Sequence, residues 1–141
     1  MDLIQLVYAS RPFGFDAPGL HVILRVARRN NTRDDVTGAL ICRGDLYLQL
    51  LEGPRDKVLA TFARIAGDDR HVDVRVLVRI AASERLFAGW AMLDDPARSW
   101  IWDKQAVDAG ELDRATPHEI IAAFARVAAD AGTEARRPSL S

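Results

Sequence analysis

A chain of 141 residues has room for one domain and leaves none for a second of full size. With 49% hydrophobic and 28% charged residues it can bury a core, far from the composition of disordered chains. A net charge of −1 without a dominant Lys/Arg run argues against nucleic acid as a partner, and a single cysteine, Cys42, excludes an intramolecular disulfide or a multi-cysteine metal site.

The first residues lack a basic stretch followed by a long apolar one, and no apolar run approaches the roughly 20 residues that cross a bilayer. A cytoplasmic protein without membrane attachment is expected. Residues 2–9, DLIQLVYA, predict a first strand that stops at the turn formers Ser10 to Gly14. From 17 to about 30, Leu20, Ile23, Leu24 and Ala27 recur at helical spacing while Arg25, Arg28 and Arg29 take the other positions, so an amphipathic helix follows. Asn30-Asn31 is expected to end it.

The runs 36–43 and 46–52 flank Gly44-Asp45 and predict a hairpin. Pro54 can open a second helix, whose apolar positions Val58, Leu59, Phe62 and Ile65 repeat at 3.6-residue spacing up to Gly67-Asp68-Asp69. Two more strands are expected over 71–80 and 86–93, around Ser83-Glu84-Arg85. The order β-α-β-β-α-β-β is that of an α+β, ferredoxin-like, mostly antiparallel sheet with both helices on one face.

Beyond Asp94 the character changes. Trp100, Ile101 and Trp102 fall in a linker, and Thr116-Pro117-His118-Glu119 is a capping box that opens a helix to about residue 131, with Gly132 as its far cap. In the first strand Ile4, Leu6 and Tyr8 alternate with Leu3 and Val7, so neither sheet face reads as solvated. This C-terminal helical extension, or a second subunit, is expected to cover the face that the helices leave open. The domain division is 1–95, an extension over 96–132 and a flexible tail over 133–141.

Gln49 is an amide among Tyr47, Leu48, Leu50 and Leu51, and leaving it buried and unpaired would cost about 1–3 kcal/mol. Strands one and three are central neighbours in this architecture, so Tyr8 and Gln49 can meet beneath the helices. On residue type alone this is a core tyrosine satisfied by a core glutamine. Asn30 and Asn31 add a pair of amides suited to the edge of a planar heteroaromatic ligand, with helix capping as the plainer role for one of them.

Taken together, Tyr8-Ala9-Ser10, Asn30-Asn31 with Thr37-Gly38-Ala39-Leu40, Gln49-Leu50-Leu51-Glu52-Gly53, Arg64 with Asp68 and Arg70-His71, and Phe87-Ala88-Gly89-Trp90-Ala91-Met92 resemble the BLUF domain, a family of blue-light sensors using FAD. Single motifs are weak, but five in register over about residues 2–93 are strong. The resemblance implies a flavin held between the two helices, with Tyr8, Asn31 and Asn30, Gln49, Arg64, Asp68 and Met92 around it. Ser10, Trp90 and Met92 then tune the network about Gln49. For Arg64 with Asp68 the alternative is a surface ion pair, and for Trp90 and Met92 it is core packing on one strand face.

The implied activity is photochemical, with no product. Tyr8 gives an electron and then a proton to excited flavin through Gln49, whose amide is left rotated or in its other tautomer, shifting the absorption to the red. The signal would pass through Trp90, Met92 and the extension to an unknown downstream protein, with a homodimer as the expected oligomer. FAD is the expected cofactor, with FMN open because the ring-holding residues do not read the adenylate end. An enzyme is not expected: the Rossmann fingerprint, a cysteine pair and an evident substrate acid or base are all missing. The alternative from another class is a light-independent ferredoxin-like domain that binds a small ligand or a partner. His21, His71 and His118 are too scattered for a local metal site. The arginine-rich, alanine-rich composition suggests a GC-rich bacterial source.

Overall fold

The computed structural model describes residues 3–12, 17–43, 46–67, 71–88, 90, 92–95 and 110–136. In chain order the elements are β1 (Leu3–Pro12), α1 (Ala17–Asp34), β2 (Thr37–Arg43), β3 (Leu46–Pro54), α2 (Arg55–Ala66), β4 (His71–Ala82), β5 (Leu93–Asp95), a short α3 (Glu111–Arg114) and α4 (Pro117–Arg136). The five strands lie in the order β4-β1-β3-β2-β5. Because β3 runs antiparallel to both β1 and β2, it separates two parallel strands, the ferredoxin-like arrangement. Beside them β4 is antiparallel to β1, and β5 adds to β2 in parallel.

Period-two alternation divides the core. Ile4, Leu6, Tyr8, Leu40, Tyr47 and Leu51 pack with Val58 of α2 on one face, joined by Leu59, Phe62 and Ile65. Val7, Ala9, Ala39, Ile41, Leu48, Leu50 and Val78 form the other core with Phe87 and with Ile120, Phe124 and Val127 of α4. The extension therefore covers the second face, using residues at i, i+4 and i+7 of one amphipathic stripe. Each such buried side chain contributes about 1.5–3 kcal/mol.

The capping box forms in full: Glu119 N–H donates to Thr116 Oγ1 and Thr116 N–H donates to Glu119 Oε1, both at 3.1 Å. Thr116→Ala should therefore loosen α4 by about 1 kcal/mol. Dark-state amide exchange should speed up in the first turn of α4, while the sheet amides keep their protection.

Several boundaries differ from the sequence reading. Asn30 and Asn31 lie inside α1 rather than at its end. The helix stops at Asp35, which takes the left-handed conformation (φ 58°), while Val36 N–H reaches back to Asn31 O at 2.9 Å. This is a Schellman closure with aspartate where glycine is usual. The far helix continues through Gly132 to Arg136, since one glycine costs only about 1 kcal/mol beside good helix formers.

The last strand covers 93–95 instead of 86–93. Upstream of it the amides of Leu86, Phe87 and Trp90 are bonded to Glu52 and to the Phe87 carbonyl, and among the described residues no ladder forms there. The Gly44-Asp45 turn, Asp68, Arg70, the 96–109 linker with Trp100 and Trp102, and residues 137–141 lie outside the described residues. Among the described residues no helix is long and apolar enough to cross a membrane.

Candidate functional site

Tyr8 and Gln49 are directly opposite each other in the β1–β3 register, at the centre of the sheet and on the face that α2 covers. Both side chains are buried. The Tyr8 ring packs against Phe62 of α2 with centroids 5.3 Å apart and planes inclined at 59°. Its hydroxyl has no hydrogen-bond partner among the described residues. Burial pushes the phenol far above its ordinary pKa, so it stays protonated. Gln49 Nε2 donates to the thioether of Met92 at 3.3 Å, a weak acceptor for an amide.

Ser10 continues the Tyr8 face and is fully buried opposite Tyr47. Neighbouring helical residues point about 100° apart. Only one of the two asparagines can thus face inward: Asn31 is buried and Asn30 half-buried. Arg64 stands on the exposed side of α2 and donates to Asp34 Oδ2 at the end of α1, at 3.0 Å, and to Thr61 Oγ1 at 3.2 Å. It ties the two helices together, while Asp68, the partner expected from the sequence, lies outside the described residues. The hydrogen bond from Arg33 and then that from Arg64 hold the Asp34 carboxyl down at about 2, against partial desolvation. Asp34 is therefore ionised at neutral pH.

Trp90 and Met92 do not share a strand face. Trp90 is 40% exposed, whereas Met92 is buried against Gln49. Among the described residues no three His, Cys, Asp or Glu side chains come together as a metal site. Beneath α2 lie a protonated phenol, without a partner among the described residues, and the buried Gln49 amide, while Asn31 supplies a second buried amide on α1. Such a donor and acceptor set fits the polar edge of a flat heteroaromatic ring.

Residues 3–93 match the family of sensors of blue-light using FAD. The chain belongs to the BLUF family. Among curated relatives, the photoactivated adenylate cyclase subunit beta of Euglena gracilis is 38% identical over 85 residues, 60% of this chain and 10% of that protein. The blue light- and temperature-regulated antirepressor BluF of Escherichia coli K12 is 36% identical over 96 residues, 65% of this chain and 24% of that one. The chain thus spans only about a tenth to a quarter of these relatives. Among solved structures, the dark state of the BLUF protein BlrB superimposes with a TM-score of 0.76 at 28% identity, covering 92% of this chain and 97% of that one.

Three residues that tie elements of the fold together were given no role in the sequence reading. Arg28 Nε donates to the Met92 carbonyl at 3.1 Å, tying α1 to the Gln49 partner. Asp34 receives Arg64. Glu52, buried on the α4 face, had a legible signal: a carboxylate at an inward position of a central strand, registered against another inward polar residue, Gln5. Bonds to backbone carbonyls, such as that of Arg28, leave no pattern of residue types.

Proposed function

We propose that this BLUF domain is a blue-light photoreceptor in which Tyr8 is the electron and proton donor and Gln49 is the element left changed. The buried Tyr8, its hydroxyl without a partner among the described residues and its position directly across the ladder from Gln49, carries this reading. Bound flavin supplies a light-activated oxidant; Asn31, with Asn30 beside it, holds its ring edge. Arg64 and Asp68 flank the helices' side of the pocket.

Tyr8 resists losing its proton alone, because a phenolate in this environment is strongly disfavoured. Its proton therefore does not leave before the electron does, and Gln49 relays it. The amide has distinct donor and acceptor ends, so rotation or tautomerisation changes what it offers to its neighbours. In the present arrangement its donor end is on Met92; reversal turns an acceptor towards the sulfur and removes that bond. Ser10 and Trp90 tune this network from either side.

FAD is the proposed cofactor, following the family's description, and FMN would satisfy the same ring contacts. The domain itself turns over no substrate and signals from the cytoplasm to a separate protein, as a homodimer. Gln49→Leu removes both ends of the amide while preserving an apolar filling. It should retain flavin and lose the red shift after blue light, read from absorption spectra before and after illumination. A Gln49→Leu protein with the wild-type photocycle would exclude this assignment, and dark turnover of NAD(P)H would favour a redox enzyme.

A further inference from the structure

The chain between β4 and β5 passes from one sheet face to the other. At its start, Phe87 lies in the α4 core, its ring edge-on to Phe124 with centroids 6.4 Å apart. At its end, Met92 lies in the Tyr8 core and accepts from Gln49. Between them Trp90 N–H donates to Phe87 O at 2.9 Å, and Gly38 N–H of β2 donates to Trp90 O at 3.1 Å.

Glu52 fixes the start of this crossing. Its Oε2 accepts from Leu86 N–H at 2.8 Å and from Gln5 Nε2 at 3.2 Å. Its Oε1 accepts from Phe87 N–H and from Thr37 Oγ1, the latter at 3.0 Å. Behind Thr37, Arg85 donates to the same hydroxyl at 3.0 Å and to the Asp35 carbonyl at 2.9 Å. A carboxylate accepts at about four sites, and here four donors come from β1, β2 and the crossing segment. Two successive backbone N–H groups on one buried anion make a charge-assisted clamp.

We propose that Glu52 is a positioning residue that makes the crossing segment behave as one body, so that a change at Met92 reaches Phe87 and α4. This rests on the photoreceptor reading above. The clamp sits on the face away from Gln49 and touches none of the photochemical residues. Loosening it should therefore uncouple α4 without abolishing the light reaction.

Glu52→Gln is a sharp probe because it keeps the volume. Each carboxylate oxygen holds one backbone N–H, so an amide NH2 at either place opposes a donor that cannot turn round. In the flavin-loaded protein E52Q should keep the red shift, while the Leu86 and Phe87 amides exchange about tenfold faster or more. The light-minus-dark difference in exchange across α4 should fall to less than about half. Gln5→Leu removes one donor from outside the segment, as Thr37→Val does, and should give a comparably graded loss. Thr37→Val keeps the carboxylate with three of its donors and gives a graded loss, which also serves if E52Q does not fold.

A full light response of α4 in E52Q, or in Thr37→Val where E52Q does not fold, would overturn the proposal, as would a red-shifting wild-type protein whose α4 does not respond. A wild-type protein without a red shift overturns the photoreceptor reading itself, so the spectrum separates the two failures.

Discussion

Tyr8→Phe should make the flavin-free protein more stable while abolishing the red shift. The hydroxyl is completely buried and has no partner among the described residues, and a polar group in that condition costs about 1–3 kcal/mol. Phenylalanine keeps the ring that packs on Phe62 and removes only the oxygen. The midpoint of thermal unfolding should rise by a few degrees. Flavin binding should weaken and the photocycle disappear, because the donor of both electron and proton has gone.

The same burial gives the wild type an alkaline weakness. The Tyr8 pKa is raised in the folded state, whereas in the unfolded chain it titrates near 10. Unfolding then releases a proton, so the stability associated with Tyr8 is intact below about pH 10 and falls as the pH rises further. Tyr8→Phe should flatten that part of the stability profile. Thermal melts of the two flavin-free proteins from pH 7 to 11 test both claims. A lower midpoint for the variant at pH 7 would show that the hydroxyl is satisfied, and a persisting red shift would remove Tyr8 as donor.

The contrast between what the residues announced and what they concealed follows from the kind of interaction. Alternation in 2–9 and 46–52 fixes which side chains share a face, because a one-residue slip would turn every one of them over. Tyr8 and Gln49 thus fall on one face and in direct register. The capping box was legible since its two donors and two acceptors all lie within four residues.

The segment from Leu86 to Met92 misled for the opposite reason. It reads as a strand by composition, yet the amides of Leu86 and Phe87 are taken by the Glu52 carboxylate and that of Trp90 by the Phe87 carbonyl, while the carbonyls of Trp90 and Met92 accept from Gly38 and Arg28. These are long-range bonds to backbone atoms, invisible in a local window. Asn30-Asn31 misled similarly: poor helix propensity suggested an end, but a buried Asn31 and the closure at Asp35–Val36 carry α1 another turn.

Gly38→Ala should be among the most damaging single-methyl changes in the sheet. A Cβ at Gly38 would run into the Leu50 carbonyl oxygen of the adjoining strand. Leu50 is held on both sides, by Val7 of β1 and Ala39 of β2, so its carbonyl cannot step aside without disturbing two ladders. Overpacking a rigid interior commonly costs about 1–3 kcal/mol, and a clash with central-strand backbone belongs at or above the top of that range. Gly38 N–H also pins the Trp90 carbonyl, and Thr37 beside it donates to Glu52. Displacing β2 therefore loosens the crossing segment as well. Gly67 is the matched control: it caps α2 at φ −88°, and a Cβ there meets nothing closer than 3.6 Å. Gly67→Ala should be neutral or stabilise by about 0.4–1 kcal/mol through the unfolded chain. Urea unfolding of both variants decides the matter: a Gly38→Ala midpoint close to that of Gly67→Ala would mean that β2 and β3 have room to separate.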